Sequence, residues 1–339
     1  MKHANVAFFV PHLGCPHRCS FCDQRNISGS IGPPSPDEVA KTCRAAAQKL
    51  NGRDFPAEIA FFGGSFTAIE PEQMRSLLQA AYPFVQDGSF DGIRVSTRPD
   101  AIDPQILALL QAYGVTTVEL GAQSMDDEVL SRNGRGHTAK DVEHASGLIR
   151  QAGFSLGLQM MVGLPGETRV SCCETAKKIA ALQPDCVRLY PTLVVEGTDL
   201  ARWYRQGSYT PLTVEEAADL TAWLLRFFED RNITVIRIGL HAEQSLEQSC
   251  IAGPFHPAFG EMVYSRVWRN RLLEELEKGN FSGKKLEILV RPQMLSKAVG
   301  QKRENIRWLA AKGYAVEIFP DANLPEKEPF WIKEVKHCI

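Results

Sequence analysis

Short apolar runs that alternate with helical patterns place the strongest constraint on the fold of this chain. From the amino terminus to about residue 240, each apolar run is followed by a stretch with helical spacing. The runs that we expect to be strands are 6–10, 58–62, 92–96, 117–120, 156–162, 186–190 and 233–238. Strands separated by single helices form parallel β-α-β units. The sequence therefore predicts an α/β fold, and this many units favours a partial or full parallel (β/α) barrel over a small open sheet.

Polar and glycine-rich motifs follow several of these expected strands, at the point where each strand ends. The motifs occupy residues 15–22, 63–64, 96–98, 123, 163–166 and 191–192. In parallel barrels the reacting groups lie at the C-terminal ends of the strands. We therefore expect these motifs to meet at one edge of the sheet.

Cys15, Cys19 and Cys22 are the most specific chemical signal in the sequence. They lie close together in a loop that follows the first expected strand, whereas most of the chain's nine cysteines are scattered. Three such thiolates can bind three irons of a [4Fe–4S] cluster and leave one iron open for catalysis. A zinc loop is the alternative, with His12 or His17 as the fourth ligand. The spacing predicts a metal centre and favours the cluster.

The motif C-x3-C-x2-C, with Phe21 before the last cysteine, resembles the signature of the radical S-adenosylmethionine (SAM) superfamily. The resemblance extends over about residues 5–240 and implies a barrel of the radical SAM type. It implies that the open iron binds SAM and that an electron from the cluster cleaves SAM into a 5′-deoxyadenosyl radical. The three cysteines would then be the catalytic ligands, and a flavodoxin or ferredoxin would be the electron donor.

The resemblance also implies cofactor contacts at the strand ends. Relatives bring a Gly-Gly segment close to the amino group of SAM, and Gly63-Gly64 matches it, although Ser65 replaces the usual acidic residue. Arg98 would pair with the cofactor carboxylate or else lie in a surface loop, and Gln123 would be a ligand or a capping amide. The full set implied to contact the cofactor is Phe21, Gly63, Gly64, Ser65, Ser96, Arg98, Gln123 and Gln159.

Five phrases narrow the resemblance to the catalytic subunit of Elongator, which modifies a wobble uridine of tRNA. They are residues 97–100, 118–121, 135–138, 190–194 and 252–257. That subunit has a wider spacing between its first two cluster cysteines and an acetyltransferase domain, for which we expect no counterpart here. The resemblance implies radical modification of an RNA base, with tRNA as the partner. The alternatives are a radical enzyme for a small molecule or porphyrin, and a non-catalytic RNA-binding iron–sulfur sensor.

The sequence after residue 240 follows a different pattern. We expect a barrel over 1–240, an extension packing on it over 241–281, a small α+β module with β-α-α-β order over 282–320, and a tail over 321–339.

A basic loop within the expected module resembles the G-x-x-G loop of KH domains, which clamps a nucleic-acid backbone. Residues 282–313 carry eight Lys or Arg against two Glu. A solvated basic surface is the alternative to RNA binding. The residues implied to contact RNA are Lys297, Gly300, Lys302, Arg303 and Arg307, with Arg303 in place of the second glycine.

Overall composition excludes several classes of protein. Hydrophobic residues make up 44% and charged residues 23%, as in ordinary globular domains, and the formal net charge is −2. The amino terminus lacks a signal-peptide pattern, and no apolar stretch is long enough for a membrane span. Nine cysteines in such a chain do not indicate a disulfide framework. We therefore expect a cytoplasmic protein without a membrane partner, and the sequence leaves the oligomeric state open.

Overall fold

A computed structural model of the chain describes residues 3–10, 15, 17–23, 32–240, 244–281, 283–325 and 328–335. The chain forms two compact units, one of Met1–Thr213 with Phe228–Phe255 and one of Val214–Phe227 with His256–Ile339. This division differs from the expected boundaries at 240 and 281, because most of a long helix (Val214–Glu229) belongs to the second unit.

A sheet of seven parallel strands forms the first unit, and its strands stand in chain order. They are β1 (Ala4–Val10), β2 (Ala57–Gly63), β3 (Gly92–Thr97), β4 (Val115–Gln123), β5 (Ser155–Val162), β6 (Cys186–Pro191) and β8 (Thr234–Ile238). Between the last two, β7 (Val194–Val195) pairs antiparallel with β9 (Cys250–Ala252). The expectation of a parallel α/β sheet is confirmed.

The sheet curls into a partial barrel. Arg188 on β6 lies over the ring of Phe62 on β2, with 4.8 Å between the guanidinium carbon and the ring centroid. Three strands separate β2 from β6, so a flat sheet could not bring these side chains together. Within the described residues the sheet stays open between β1 and β8.

Helices connect the strands of the first unit as the sequence predicts. They are α1 (Pro36–Leu50), α2 (Pro71–Ala81), α3 (Pro83–Gln86), α4 (Pro104–Ala112), α5 (Asp127–Arg132), α6 (Ala139–Gln151), α7 (Arg169–Ala181), α8 (Asp199–Arg205) and α10 (Gln244–Ser249). The helix before β8, α9 (Val214–Glu229), belongs mostly to the second unit. Ser35, Thr138 and Thr168 each begin a helix with a reciprocal capping box, which satisfies backbone N–H groups that have no partner inside the helix. No helix in the described part of the chain is both long enough and apolar enough to cross a bilayer.

The second unit packs helices on a three-stranded sheet. Its elements are α11 (Phe259–Lys278), β10 (Lys285–Val290), α12 (Leu295–Val299), α13 (Glu304–Ala311), β11 (Ala315–Pro320) and β12 (Phe330–Glu334). β10 is central and pairs parallel with β11 and antiparallel with β12. The predicted β-α-α-β order is present, but the stretch expected to be a tail contributes β12. Phe330 joins the buried cluster of this unit. The sequence did not indicate this role, because Phe330 lies in a largely polar stretch.

Candidate active site

Hydrogen bonds join the loop with the three cysteines to other segments of the first unit. Ser20 donates from its backbone N to the carbonyl of Asn133 (3.0 Å) and from its hydroxyl to the Asn133 side chain (2.7 Å). The Asn133 amide in turn donates to the carbonyl of Pro165 at 3.0 Å. Leu200 donates its backbone N–H to the carbonyl of Ser20 at 2.8 Å. A fully buried asparagine therefore fixes the cysteine loop against the turn that follows β5.

Cys15 and Cys22 lie close enough to Cys19 for its charge to affect their ionisation. Burial, and after it the charge of Cys19, raises the pKa of Cys15, and the same causes raise the pKa of Cys22. Among the described residues, no three His, Cys, Asp or Glu side chains converge on a single ion. A [4Fe–4S] cluster binds each thiolate at a different iron, so its ligands stand farther apart than those of one zinc ion. Three cysteines on one short loop can each bind a different iron of such a cluster.

Hydrogen-bond donors already face two of these sulfurs. The Arg135 Nη1 donates to the Cys19 sulfur at 3.2 Å. The backbone N–H of Ser65 donates to Cys15 and so favours its thiolate form. Such donors stabilise the negative charge of a ligating sulfur. Arg135 lies in one of the phrases that suggested the family resemblance, but the sequence alone gave it no role.

Gly63 allows the end of β2 to lie directly against the end of β1. Its φ is +109°, and a Cβ at this position would lie 3.0 Å from the carbonyl oxygen of Val10. The next residue, Gly64, donates its N–H to that carbonyl at 2.8 Å. Only glycine fits this backbone conformation and this close approach without strain. The Gly-Gly segment thus sits beside the strand that leads into the cysteine loop.

The Ser65 hydroxyl is fully buried and faces β3. It lies 2.8 Å from the Thr97 hydroxyl and accepts a hydrogen bond from the Arg98 backbone N at 3.2 Å. Its side chain is therefore occupied within the protein. Ser96, on β3, is half-buried and pairs in register with Glu119 of β4.

Arg98 is buried, so the surface-loop alternative for this residue is wrong. Its guanidinium pairs with both carboxylate oxygens of Asp100 (2.9 and 3.0 Å), and its Nη2 also donates to the carbonyl of Arg135. The Nη1 group is buried and has no hydrogen-bond partner among the residues that the structure describes. The fork expected to bind a cofactor carboxylate is thus filled by Asp100, which leaves one donor free.

Gln123 and Gln159 lie together at the ends of neighbouring strands. The Gln159 amide donates to the Gln123 Oε1 at 3.0 Å. Gln123 has a φ of +66°, and the β4–β5 register shifts between Gly121 and Gln123. A non-glycine residue in the left-handed region costs about 1–3 kcal/mol, and such strain is concentrated at functional sites.

Phe21 packs between two small apolar clusters. One contains Met161 and Leu164 and the other contains Val194 and Leu200. The aromatic ring therefore anchors the cysteine loop to the turn after β5, at residues 163–166. That turn is itself fixed, because Gly163 donates its N–H to Glu167 at 2.6 Å.

Comparison with known proteins identifies the family. The model of the radical SAM superfamily matches residues 9–179, and that of the Radical_SAM C-terminal domain matches residues 184–269. This chain belongs to the radical SAM superfamily. Radical SAM proteins use a [4Fe–4S] cluster together with SAM, so both cofactor expectations are confirmed and the zinc loop is set aside.

Curated relatives of this radical SAM enzyme include proteins named for tRNA modification. A protein of Dehalococcoides mccartyi named tRNA uridine(34) acetyltransferase is 29% identical over 61% of the chain and 52% of its own length. The chain thus spans about half the length of that relative. Human Elongator complex protein 3 is 34% identical over 40% of the chain and 25% of its own length. The Escherichia coli protein YhcC is 32% identical over 60% of this chain and 68% of its own length.

A solved structure shares the fold of this radical SAM enzyme. It is archaeal Elp3 of Methanocaldococcus infernus with an N-terminal deletion, which superposes with a TM-score of 0.61. The superposition covers 82% of this chain and 63% of that one, at 23% identity. At this identity the likeness supports the fold alone.

The radical SAM site offers a cradle whose chemistry suits the cluster and SAM. The three cysteines would hold the cluster, which, when bound, supplies the electron that cleaves SAM. The free buried Nη1 of Arg98 needs an acceptor, and a cofactor carboxylate would provide one.

A chain of buried ion pairs lines the inner face of the sheet, and the sequence reading missed it. Arg94 pairs with Glu58 and with Glu119 at 2.7 Å each, and the Arg188 Nη2 donates to Glu119 at 2.9 Å. Arg188 also approaches the Tyr190 hydroxyl at 3.4 Å. The sequence did carry a signal for these ion pairs, because several neighbouring apolar strands each contain a charged residue. Paired buried charges make this wall polar and rigid.

The residues implied to contact RNA lie in the second unit and differ in exposure. Lys302 and Arg303 are exposed and adopt left-handed φ values of +50° and +61°, and Arg307 is exposed on α13. Lys297 is half-buried, with its Nζ 4.3 Å from the centre of the Tyr264 ring. Gly300 is buried, and a Cβ there would lie 2.9 Å from the Ser265 hydroxyl. The loop therefore presents three cations to solvent, while its glycine serves packing.

Proposed function

We propose that this radical SAM enzyme modifies a base of an RNA, with a tRNA uridine as the substrate. The observation that carries the proposal is the match, over 61% of the chain, to a protein named tRNA uridine(34) acetyltransferase. The radical SAM core at residues 9–179 supplies radical chemistry and does not by itself name a substrate.

The charge of the second unit supports an RNA substrate. Lys302, Arg303 and Arg307 are exposed, and no ion pair holds them among the described residues. The formal net charge of the whole chain is −2, so these cations form a local patch in a nearly neutral protein. A local basic patch can bind phosphates even when the protein as a whole carries little net charge. We assign the patch, together with Lys297, to the RNA backbone.

The strand-end residues take cofactor roles in this proposal. The backbone of Gly63, Gly64 and Ser65 binds the amino group of SAM, and the free Nη1 of Arg98 binds its carboxylate. The Gln123–Gln159 pair, joined at 3.0 Å, contacts the nucleoside part of SAM together with Ser96, and Phe21 packs beside it. An external one-electron reductant such as a flavodoxin or ferredoxin reduces the cluster.

The decisive experiment is the production of 5′-deoxyadenosine by the anaerobically reconstituted, reduced full chain, with and without total tRNA. We expect production to rise several-fold with tRNA and to vanish in Cys19→Ala, because a cluster with an incomplete ligand set cannot deliver its electron to SAM. The RNA contact is tested with Lys302→Glu. Its matched control is Lys140→Glu, which reverses the charge of an exposed lysine on α6. Only Lys302→Glu should lower the stimulation by tRNA.

Two other results of this assay would point to a different function. Production that tRNA does not change would indicate a small-molecule or porphyrin substrate and contradict the RNA proposal. No production in the presence of an intact cluster would favour the non-catalytic iron–sulfur sensor.

A further inference from the structure

A buried arginine faces one of the cluster cysteines. Arg135 is only 7% exposed, and its Nη1 donates to the Cys19 sulfur at 3.2 Å. In the described part of the chain, no carboxylate forms an ion pair with this guanidinium. Its positive charge is therefore directed at the cysteine loop and is not neutralised locally.

The neighbouring arginine provides the contrast. Arg98 is also buried beside the site, but Asp100 binds its guanidinium through both carboxylate oxygens. Burial raises the pKa of Cys15, and the charges of Arg98 and of Arg135 both act to lower it. Of these two buried cations in the described part of the chain, only Arg135 donates a hydrogen bond to a cysteine sulfur.

Arg135 is held firmly in place. Its Nη2 donates to the carbonyl of Gly121 at 2.5 Å, and its own carbonyl accepts from Arg98. Gly134 and Gly136 flank it with φ values of +63° and +70°, a conformation that favours glycine. The guanidinium is thus preorganised, and reduction of the cluster would not require it to move.

We propose that Arg135 raises the reduction potential of the cluster by acting through Cys19. Reduction adds one electron, supplied by an external one-electron reductant, and no bond forms or breaks in that step. The reduced cluster carries one more negative charge, so a cation and hydrogen-bond donor at a ligand sulfur stabilises it more than the oxidised cluster. Burial limits screening by salt and water. Arg135 is a positioning residue, since it acts on the metal through a ligand.

The test is a redox titration of the reconstituted full chain, monitored by the EPR signal of the reduced cluster, without SAM or RNA. For Arg135→Met we expect at least a tenfold fall in the ratio of reduced to oxidised cluster at a fixed solution potential, which is a downward shift of 59 mV for one electron. Arg135→Lys keeps the charge and should shift less. Lys140→Met, which removes an exposed cation on α6, should leave the midpoint unchanged.

A midpoint in Arg135→Met equal to that of the unmodified protein, at full iron content, would overturn the proposal. If that variant fails to hold a cluster, Arg135→Gln replaces it. The midpoint must then be lower in Arg135→Gln than in Arg135→Lys, and equal or reversed values contradict the proposal. The titration contains no RNA, so its outcome is independent of the substrate assignment.

Discussion

At the scale of single residues, the site depends on buried polar side chains that no longer face water. Asn133 bridges the cysteine loop and the turn after β5, and Arg135 joins Cys19 to the carbonyl of Gly121. Each makes hydrogen bonds to segments far away in the chain. Loss of such a side chain leaves several buried groups without partners, which costs more than the loss of an exposed contact.

The buried imidazole of His137 makes stability depend on pH. Its Nε2 lies 3.2 Å from the carbonyl of Ala122, and its Nδ1 has no hydrogen-bond partner within the described part of the chain. Burial, and after it the charge of Arg135, lowers the pKa of His137 to about 4. The unfolded chain therefore binds the proton first as pH falls, because an ordinary histidine has a pKa of about 6.5. This contribution is complete above about pH 6.5 and is lost as pH falls toward 4.

We predict that His137→Gln flattens the dependence of unfolding free energy on pH between 6.5 and 4. The unmodified protein should lose up to about 3 kcal/mol from this residue over that window. Denaturant unfolding at several pH values measures the slope. His144→Gln, which replaces an exposed histidine on α6, is the control. Equal slopes in the two variants would show that His137 does not titrate in this way.

At the scale of elements, the inner face of the sheet is joined by ion pairs. A continuous chain of charges runs across these strands, formed by Glu58 on β2, Arg94 on β3, Glu119 on β4 and Arg188 on β6. The charges of Arg188 and Arg94 and their hydrogen bonds hold the pKa of the Glu119 carboxyl below its usual range, against the effect of burial. The chain therefore stays ionised and links strands that are not neighbours in the sheet.

We predict that Glu119→Gln destabilises the protein by about 3–5 kcal/mol, since it leaves two buried arginines without their shared partner. Denaturant unfolding monitored by circular dichroism measures the loss. The matched control is Glu174→Gln, which removes an exposed partner of Lys177 (2.7 Å) and should cost less than about 1 kcal/mol. Similar losses in both variants would contradict a structural role for the buried chain of charges.

At the scale of the whole molecule, charge is distributed unevenly. The formal net charge is −2, yet residues 282–313 carry eight cations against two glutamates. In the proposed function, RNA would be bound through a limited number of phosphate contacts in this segment. Its affinity should therefore depend on salt in proportion to the number of cations that contact phosphates.

We predict that tRNA binding weakens steeply with salt and that Arg307→Ala lowers the slope of log K against log salt by about 0.7–0.9. Filter binding or fluorescence anisotropy over a salt series measures that slope. Lys177→Ala removes an exposed cation of the first unit and should leave the slope unchanged. A slope that Arg307→Ala does not alter would place the RNA, if bound, away from the basic loop.

The sequence by itself determined the strand–helix alternation, the parallel sheet and the cysteine cluster. These features are written in local patterns, because apolar periodicity and ligand spacing act over a few residues. The tertiary structure decided which partners the polar residues found. Arg135 reaches Cys19, 116 positions away in the chain, Asp100 fills the fork expected to bind the cofactor, and β12 arises where a tail was expected. Such pairings depend on how distant segments pack, and no local pattern encodes that geometry.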